Sequence, residues 1–139
     1  MICQLHEGIF SPRLPYWRPR LTPLAFRPTA APEVWSRTEL YFGTNKPDNQ
    51  QVTEVEFSAF VDTEVTQRFP DGLTLLTAYG QFRNSRGELI REKSYLLILL
   101  YPPQMQDVNK RIQEIRDLYK YAFSQELVLR VDSFSFVSF

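Results

Sequence analysis

Residues 89–103 read "LIREKSYLLILLYPP". The second half of this run, 95–101, is apolar at every position, so a strand built from it needs cover on both faces, as a central strand does. Pro102 and Pro103 end it, because proline has no N–H to donate to a ladder. Just upstream, "NSRGE" (84–88) offers Gly87 for a positive φ and reads as a short hairpin connection. The segment before it, "LTLLTAYGQFR" (73–83), has the β-branched and aromatic content of a strand and is the antiparallel partner of 89–101.

Outward from this hairpin, two helices are predicted. "VTEVEFSAFVDTEVTQRF" (52–69) opens with a capping box, Thr53 at the N-cap and Glu56 three residues on, flanked by Val52 and Phe57 at the positions of a hydrophobic staple. Phe57, Phe60, Val61 and Val65 then form one apolar stripe, and Pro70, Asp71 and Gly72 spell a turn. After the hairpin, Met105, Val108, Ile112, Ile115, Tyr119 and Ala122 recur at three and four residues, the mark of a second amphipathic helix. "WSRTELYFG" (35–43) alternates as a strand, and "ELVLRVDSFSFVSF" (126–139) closes the chain with a phase change near Asp132–Phe134 that suggests a bulge or a bend. The order β-α-β-β-α-β is the ferredoxin-like split βαβ pattern: an α+β fold with a four-stranded antiparallel sheet, strands ordered 4-1-3-2 and both helices on one face.

Composition narrows the function classes. The length, 139 residues, favours one folded domain. Lys plus Arg and Asp plus Glu each number 16, and a zero net charge speaks against a general nucleic-acid or anionic-membrane binder. One cysteine, Cys3, forms no internal disulfide, and one histidine, His6, is too few for a Ser-His-Asp triad in the body or a multi-histidine metal site. No phosphate-cradling glycine loop or Cys-x-x-Cys pair is present, so no cofactor and no metal are expected. The longest apolar run falls far short of the roughly 20 residues of a membrane-spanning helix, and "MICQLHEGIF" lacks the basic region and apolar run of a secretory signal, leaving the compartment unassigned. Six of the ten prolines fall in 12–32 among Arg13, Arg18, Arg20 and Arg27, so residues 1–34 read as an extended or disordered Pro/Arg-rich arm and 35–139 as the folded domain.

With the helices on one side of the sheet, alternation assigns Thr38, Leu40 and Phe42 of the first strand, and Leu96, Ile98 and Leu100 of the third, to the helix side. The open face is then expected to carry Trp35, Arg37, Glu39 and Tyr41, together with Arg91, Lys93, Tyr95, Leu97, Leu99 and Tyr101, and Tyr79, Gln81 and Arg83 from the second strand. An amphipathic sheet face of this kind suits an interface or a groove. Two copies packed through it make a dimeric α+β barrel, and a small organic ligand fits between the sheets. Glu39 is the candidate acid or base and Tyr41 the candidate proton donor, with Arg37, Arg91 and Lys93 as an anion-binding end and Tyr79, Gln81, Tyr95 and Tyr101 along the ligand's flank. The plainer reading makes Glu39 a cross-strand partner of Arg91 or Lys93. With the first and third strands taken to run parallel, the loops 44–51 and 102–107 share one end and wall a pocket floored by Glu39, Tyr41, Leu99 and Tyr101. Arg68 suits a helix C-terminus, Asp71 a turn, and Asp62 and Glu64 solvent.

"RTELYFG" (37–43), "RFPDGLTLLTAYGQFR" (68–83) and the pair Arg91-Glu92 resemble the bacterial domain-of-unknown-function family three-five-seven-four. The resemblance marks Arg37, Glu39, Tyr41, Arg68, Asp71, Gly72, Gly80, Gln81, Arg91 and Glu92 as matching positions and brings no activity with it. Members of that family often look exported, where this chain shows no signal. Three functions compete: a small-molecule site, catalytic or not; a protein-interaction module using the open face and the arm; and RNA binding in the manner of an RNA-recognition fold, which "AYGQFRNS" (78–85) and the neutral charge fit poorly.

Overall fold

The computed structural model describes residues 31–139. Most of the arm assigned to 1–34 therefore lies outside the described residues. The elements are β1 (Glu33–Gly43), α1 (Glu54–Phe60, continued by a π-turn over Val61–Val65), β2 (Thr74–Arg83), β3 (Leu89–Tyr101), α2 (Val108–Phe123) and β4 (Leu129–Val137). They form one antiparallel sheet ordered β2-β3-β1-β4, the ferredoxin-like arrangement read from the sequence. No helix among the described residues is long and apolar enough to cross a membrane.

The direction of β3 corrects one expectation. β1 and β3 pair antiparallel, from Ser36 opposite Tyr101 to Gly43 opposite Ser94. The α1 crossover returns the chain to run with β1, and the β2–β3 hairpin then reverses it, so β3 cannot run parallel to β1. The loops 44–51 and 102–107 therefore lie at opposite ends of the sheet. The segments that share an end with 44–51 are the hairpin 84–88 and the connection 124–128, since Arg83 pairs with Leu89 and Tyr41 with Leu129.

Register also decides which residues the helices cover. Leu40 lies opposite Leu97, Thr38 opposite Leu99 and Phe42 opposite Tyr95, and directly opposed residues share a face. Phe42 meets Phe57 and Phe60 of α1 at ring-centroid distances of 5.4 and 6.3 Å and Tyr119 of α2 at 4.6 Å, so this is the helix face. Tyr95, Leu97, Leu99 and Tyr101 are accordingly buried beneath the helices, and Leu96, Ile98 and Leu100 occupy the open face, the reverse of the assignment above. A run that is apolar at every position carries no alternation from which to read its phase; the partner strand sets it. Tyr79, Gln81, Arg91 and Lys93 share this phase and lie on the helix side.

Local chemistry otherwise follows the sequence. Glu56 N–H donates to Thr53 Oγ1 at 3.2 Å and Thr53 N–H to Glu56 Oε2 at 2.8 Å, a complete capping box, with Val52 and Phe57 both buried. Arg68 Nη1 donates to the Glu64 carbonyl at 2.6 Å and so closes the C-terminal end of that helical segment. Arg68 Nη1 also reaches the Glu64 carboxylate at 3.0 Å, so Glu64 is ion-paired rather than free in solvent. Gly87 takes φ 77° in the hairpin. The α2 stripe buries Ile112, Ile115 and Tyr119, but ends on Phe123 packed against the core rather than on exposed Ala122. β4 pairs with β1 without interruption from Leu129 to Val137, so there is no bulge at Asp132–Phe134. Its apolar residues simply change sides along a regular strand, Leu129 and Val131 on the open face and the exposed Phe134 and Phe136 on the other.

The two buried threonines are satisfied. Thr38 Oγ1 shares a 2.8 Å hydrogen bond with the Tyr101 hydroxyl and donates to Asp132 Oδ1 at 2.6 Å, while Thr44 Oγ1 donates to the Lys93 carbonyl at 2.6 Å. The phase of β3 is testable by truncation. Leu97→Ala is expected to cost about 2–5 kcal/mol in urea unfolding, and Leu100→Ala, on the open face, less than about 1 kcal/mol in dilute solution.

Candidate functional site on the open sheet face

Arg37, Glu39 and Tyr41 project from β1 on the side away from Leu40. Residues two apart on a strand stand side by side, and these three are bonded in series. Arg37 Nε and Nη2 both donate to Glu39 Oε1, at 2.9 and 2.7 Å, and the Tyr41 hydroxyl donates to Glu39 Oε2 at 2.6 Å. Glu39 is thus paired within its own strand and not with Arg91 or Lys93. Its neighbours across the sheet are aliphatic: Ile98 and Val131 flank Glu39, Leu96 and Leu129 flank Tyr41, and Leu100 lies beside Arg37.

The hydrogen bond from Tyr41, then that from Arg37, holds the Glu39 carboxyl below its ordinary value of 4.5. The same bond to Glu39 raises the Tyr41 phenol above its ordinary 10.0. At neutral pH the group is therefore a carboxylate, a guanidinium and an intact phenol. Both carboxylate oxygens are engaged and the phenolic proton is held by its acceptor, so the trio orients and binds more readily than it exchanges protons.

Tyr41 also forms part of the wall of a cleft of about 640 Å³ on the open face, at the end of the sheet where loop 44–51 meets 124–128. Phe82, Ile90 and Leu129 are apolar parts of its lining, and Glu92, Ser94, Lys46 and Gln125 are polar parts. The expected partner loop, 102–107, is at the far end. Glu92 Oε1 accepts the backbone N–H of Thr44 and of Asn45, each at 2.9 Å, and so ties the loop to β3. Gly43 leaves room for this close approach: a Cβ there would sit 2.9 Å from Glu92 Oε1 and 3.3 Å from Gln125 Oε1, and those side-chain ends would have to shift. Glu92, Ser94 and Gln125 were missed as site residues. Glu92 stood out in the sequence only as half of the Arg91-Glu92 match, and its face depends on the same undetermined phase. A second cleft, of about 600 Å³, opens at the other end of the face between Trp35, Leu100 and Phe139.

The remaining sequence-assigned residues are not brought to this face. Tyr95 stacks on Phe57 at 4.1 Å in the core, and the Tyr101 hydroxyl is engaged by Thr38. Lys93 pairs with Glu54 at 2.8 Å, Arg91 Nε donates to Gln81 Oε1 at 3.0 Å, and Tyr79 is exposed on the helix side. Among the described residues, no three His, Cys, Asp or Glu side chains cluster as a metal site.

These features define a ferredoxin-like α+β domain with an apolar open face crossed by one polar series. The family model described as "Protein of unknown function (DUF3574)" matches residues 37–139, and the chain belongs to that family. Among solved structures, it is similar to a phage SAM lyase in complex with S-methyl-5'-thioadenosine, at 15% identity and a TM-score of 0.57 over 75% of this chain and 89% of that one. The same lyase in its apo state gives 16% identity and a TM-score of 0.56 over 76% and 89%. CutA from Synechococcus elongatus follows at 11% identity and a TM-score of 0.49 over 75% and 83%. Comparison with curated proteins gives no match. At these identities the likeness to the lyase is one of fold alone.

The trio makes a pH prediction. A carboxyl depressed in the folded state stabilises above its unfolded value and loses that contribution as pH falls through the folded one. Glu39→Gln is therefore expected to lose stability less steeply than wild type below pH 4.5, as followed by thermal melts across acid pH. The acid limb does not vanish in that variant, because Glu56, held at about 2 by Lys46 and the Thr53 cap, contributes separately. Tyr41 has the opposite sign: its contribution is complete below pH 10.0 and fades as pH rises through the raised value, an effect Tyr41→Phe removes.

Proposed function

We propose that the domain is a binding module whose open sheet face takes a small organic ligand with an apolar body, seated in the cleft beside Tyr41, and that two copies pack these faces together as a dimeric α+β barrel. The observation that carries the ligand reading is the position of Tyr41, fixed by Glu39 at one side of a cleft otherwise walled by Phe82, Ile90 and Leu129. An anionic ligand, expected from the sequence, relied on Arg37, Arg91 and Lys93. Two of these lie on the helix side, and Arg37 already has a carboxylate counterion. The apolar body is retained and the anion-binding end is not. A catalytic role for Glu39 and Tyr41 requires a ligand that displaces one of their mutual hydrogen bonds.

The second copy is favoured by the chemistry of the rest of the face. Leu76, Phe82, Leu100, Leu129 and Val131 are all exposed there, and apolar surface of this extent usually marks an interface. The trio sits among them with its charges matched, so covering it leaves no unpaired ion.

Two measurements test this. Sedimentation at micromolar concentration is expected to give a dimer, and Leu100→Lys a folded monomer; a monomeric wild type removes the dimer. In a thermal-shift screen of small apolar compounds, Tyr41→Phe is expected to stay folded and lose any compound-induced shift of the wild type. A screen in which Tyr41→Phe and wild type respond alike counts against the cleft.

A further inference from the structure

The polar inventory of the cleft specifies a ligand class. Glu92 spends Oε1 on two backbone N–H groups, and its Oε2 has no partner among the described residues. Tyr41 commits its one proton to Glu39, so toward the cleft its oxygen only accepts. The Gln125 side-chain nitrogen donates to the Asn45 carbonyl at 2.8 Å and to the Phe123 carbonyl at 3.1 Å, which leaves its oxygen as the free end beside Gly43. Glu126 adds a second carboxylate to the lining. Lys46, the lining's cation, is compensated: its Nζ donates to Glu56 at 2.8 Å and lies 5.8 Å from the Phe123 ring centroid. The Ser94 and Ser124 hydroxyls have no partner among the described residues and can donate or accept, and the Asn45 side-chain nitrogen, whose oxygen accepts from Gln51, is free to donate at the loop.

A lining in which the unpartnered charged group is a carboxylate, set beside apolar side chains, complements a cationic head on an apolar body. Building on the open-face reading above, we infer that the cleft recognises an organic cation, its ammonium or amidinium group held by the free oxygen of Glu92 and its body lying against Phe82, Ile90 and Leu129. The volume, about 640 Å³, admits an organic molecule rather than a bare ion. Glu92 suits the role because its side chain is already held in place. The loop N–H bonds fix it, its carboxylate occupies the space that Gly43 leaves, and Gly80 opposite it adds no side chain to the face.

Three probes with one body and different heads test this: phenethylammonium, 2-phenylethanol and phenylacetate, titrated into the full chain and followed by amide chemical shifts. Phenethylammonium is expected to bind about tenfold more tightly than 2-phenylethanol, as a charge-assisted hydrogen bond implies, with shifts at Tyr41, Gly43, Glu92 and Leu129. Glu92→Gln keeps an oxygen for the Thr44 and Asn45 N–H groups; it is expected to retain the melting temperature and 2-phenylethanol binding and to lose the preference for the amine. Phenylacetate binding as tightly as the amine, or a preference that survives Glu92→Gln, overturns the cation assignment and leaves the open-face site standing. No shift at those four amides with any probe overturns both.

Discussion

The pairing of Leu40 with Leu97 at the centre of the sheet governs the rest of the molecule. Strand side chains alternate with period two, so a slip of one residue would exchange every buried position of β3 for an open one. Two features hold the register. Leu40 and Leu97 are both fully buried beneath the helices, in company with Ile112, Ile115 and Tyr119. The Thr38 hydroxyl, bonded to Tyr101 of β3 and Asp132 of β4, links three strands through one buried atom, and a slip would part it from its partners. Orphaning such a group costs about 1–3 kcal/mol, which adds a polar penalty to the apolar one.

Once that register is set, the composition of the open face follows. The strongly charged stretch Arg91–Lys93 is divided: Arg91 and Lys93 pass to the helix side and Glu92 alone turns outward. The open face is left with mostly aliphatic and aromatic residues, small hydroxyl side chains such as Ser94 and Ser133, the neutralised Arg37–Glu39–Tyr41 series, Glu33 at the end of β1 and the Glu92 carboxylate pinned by a loop. A half-buried ion pair such as Arg37–Glu39, still in reach of solvent, contributes little in water. Its arrangement matters more when the face is covered, because each member already has its partner and none must be desolvated alone.

What was legible in the sequence was whatever carried its own local signal. The Thr53–Glu56 box, the Gly87 hairpin, the helical stripes and the alternation of 35–43 each announce an element through a hydrogen bond, a permitted φ or a period, and together they specify the β-α-β-β-α-β order. From the alternation of 35–43 came Arg37, Glu39 and Tyr41 as one group on one face. Phase and direction were harder. Tyr95–Tyr101 offers seven apolar residues whose faces only β1 can choose, so Tyr95, Tyr101 and the β2 residues paired with this strand were placed on the wrong side. The pocket walls then failed for a different reason: an antiparallel β3 sends 102–107 to the far end. Glu92 and Gln125 define their cleft through backbone groups of residues nearly 50 and 80 positions away, a relation no local pattern encodes.

The strand order also sets a schedule for the growing chain. The β2–β3 hairpin closes over the short turn 84–88, and α1 is capped by residues within a few positions of one another. β1, although it leads the described fold, waits for partners far downstream: Tyr41 meets Leu96 of β3 and Leu129 of β4, and Glu33 meets Val137. β1, one of the two inner strands of the finished sheet, thus depends for both of its edges on segments far downstream. Contacts of such long sequence separation slow folding, and until they form both backbone edges of β1 stand open to pairing with another chain.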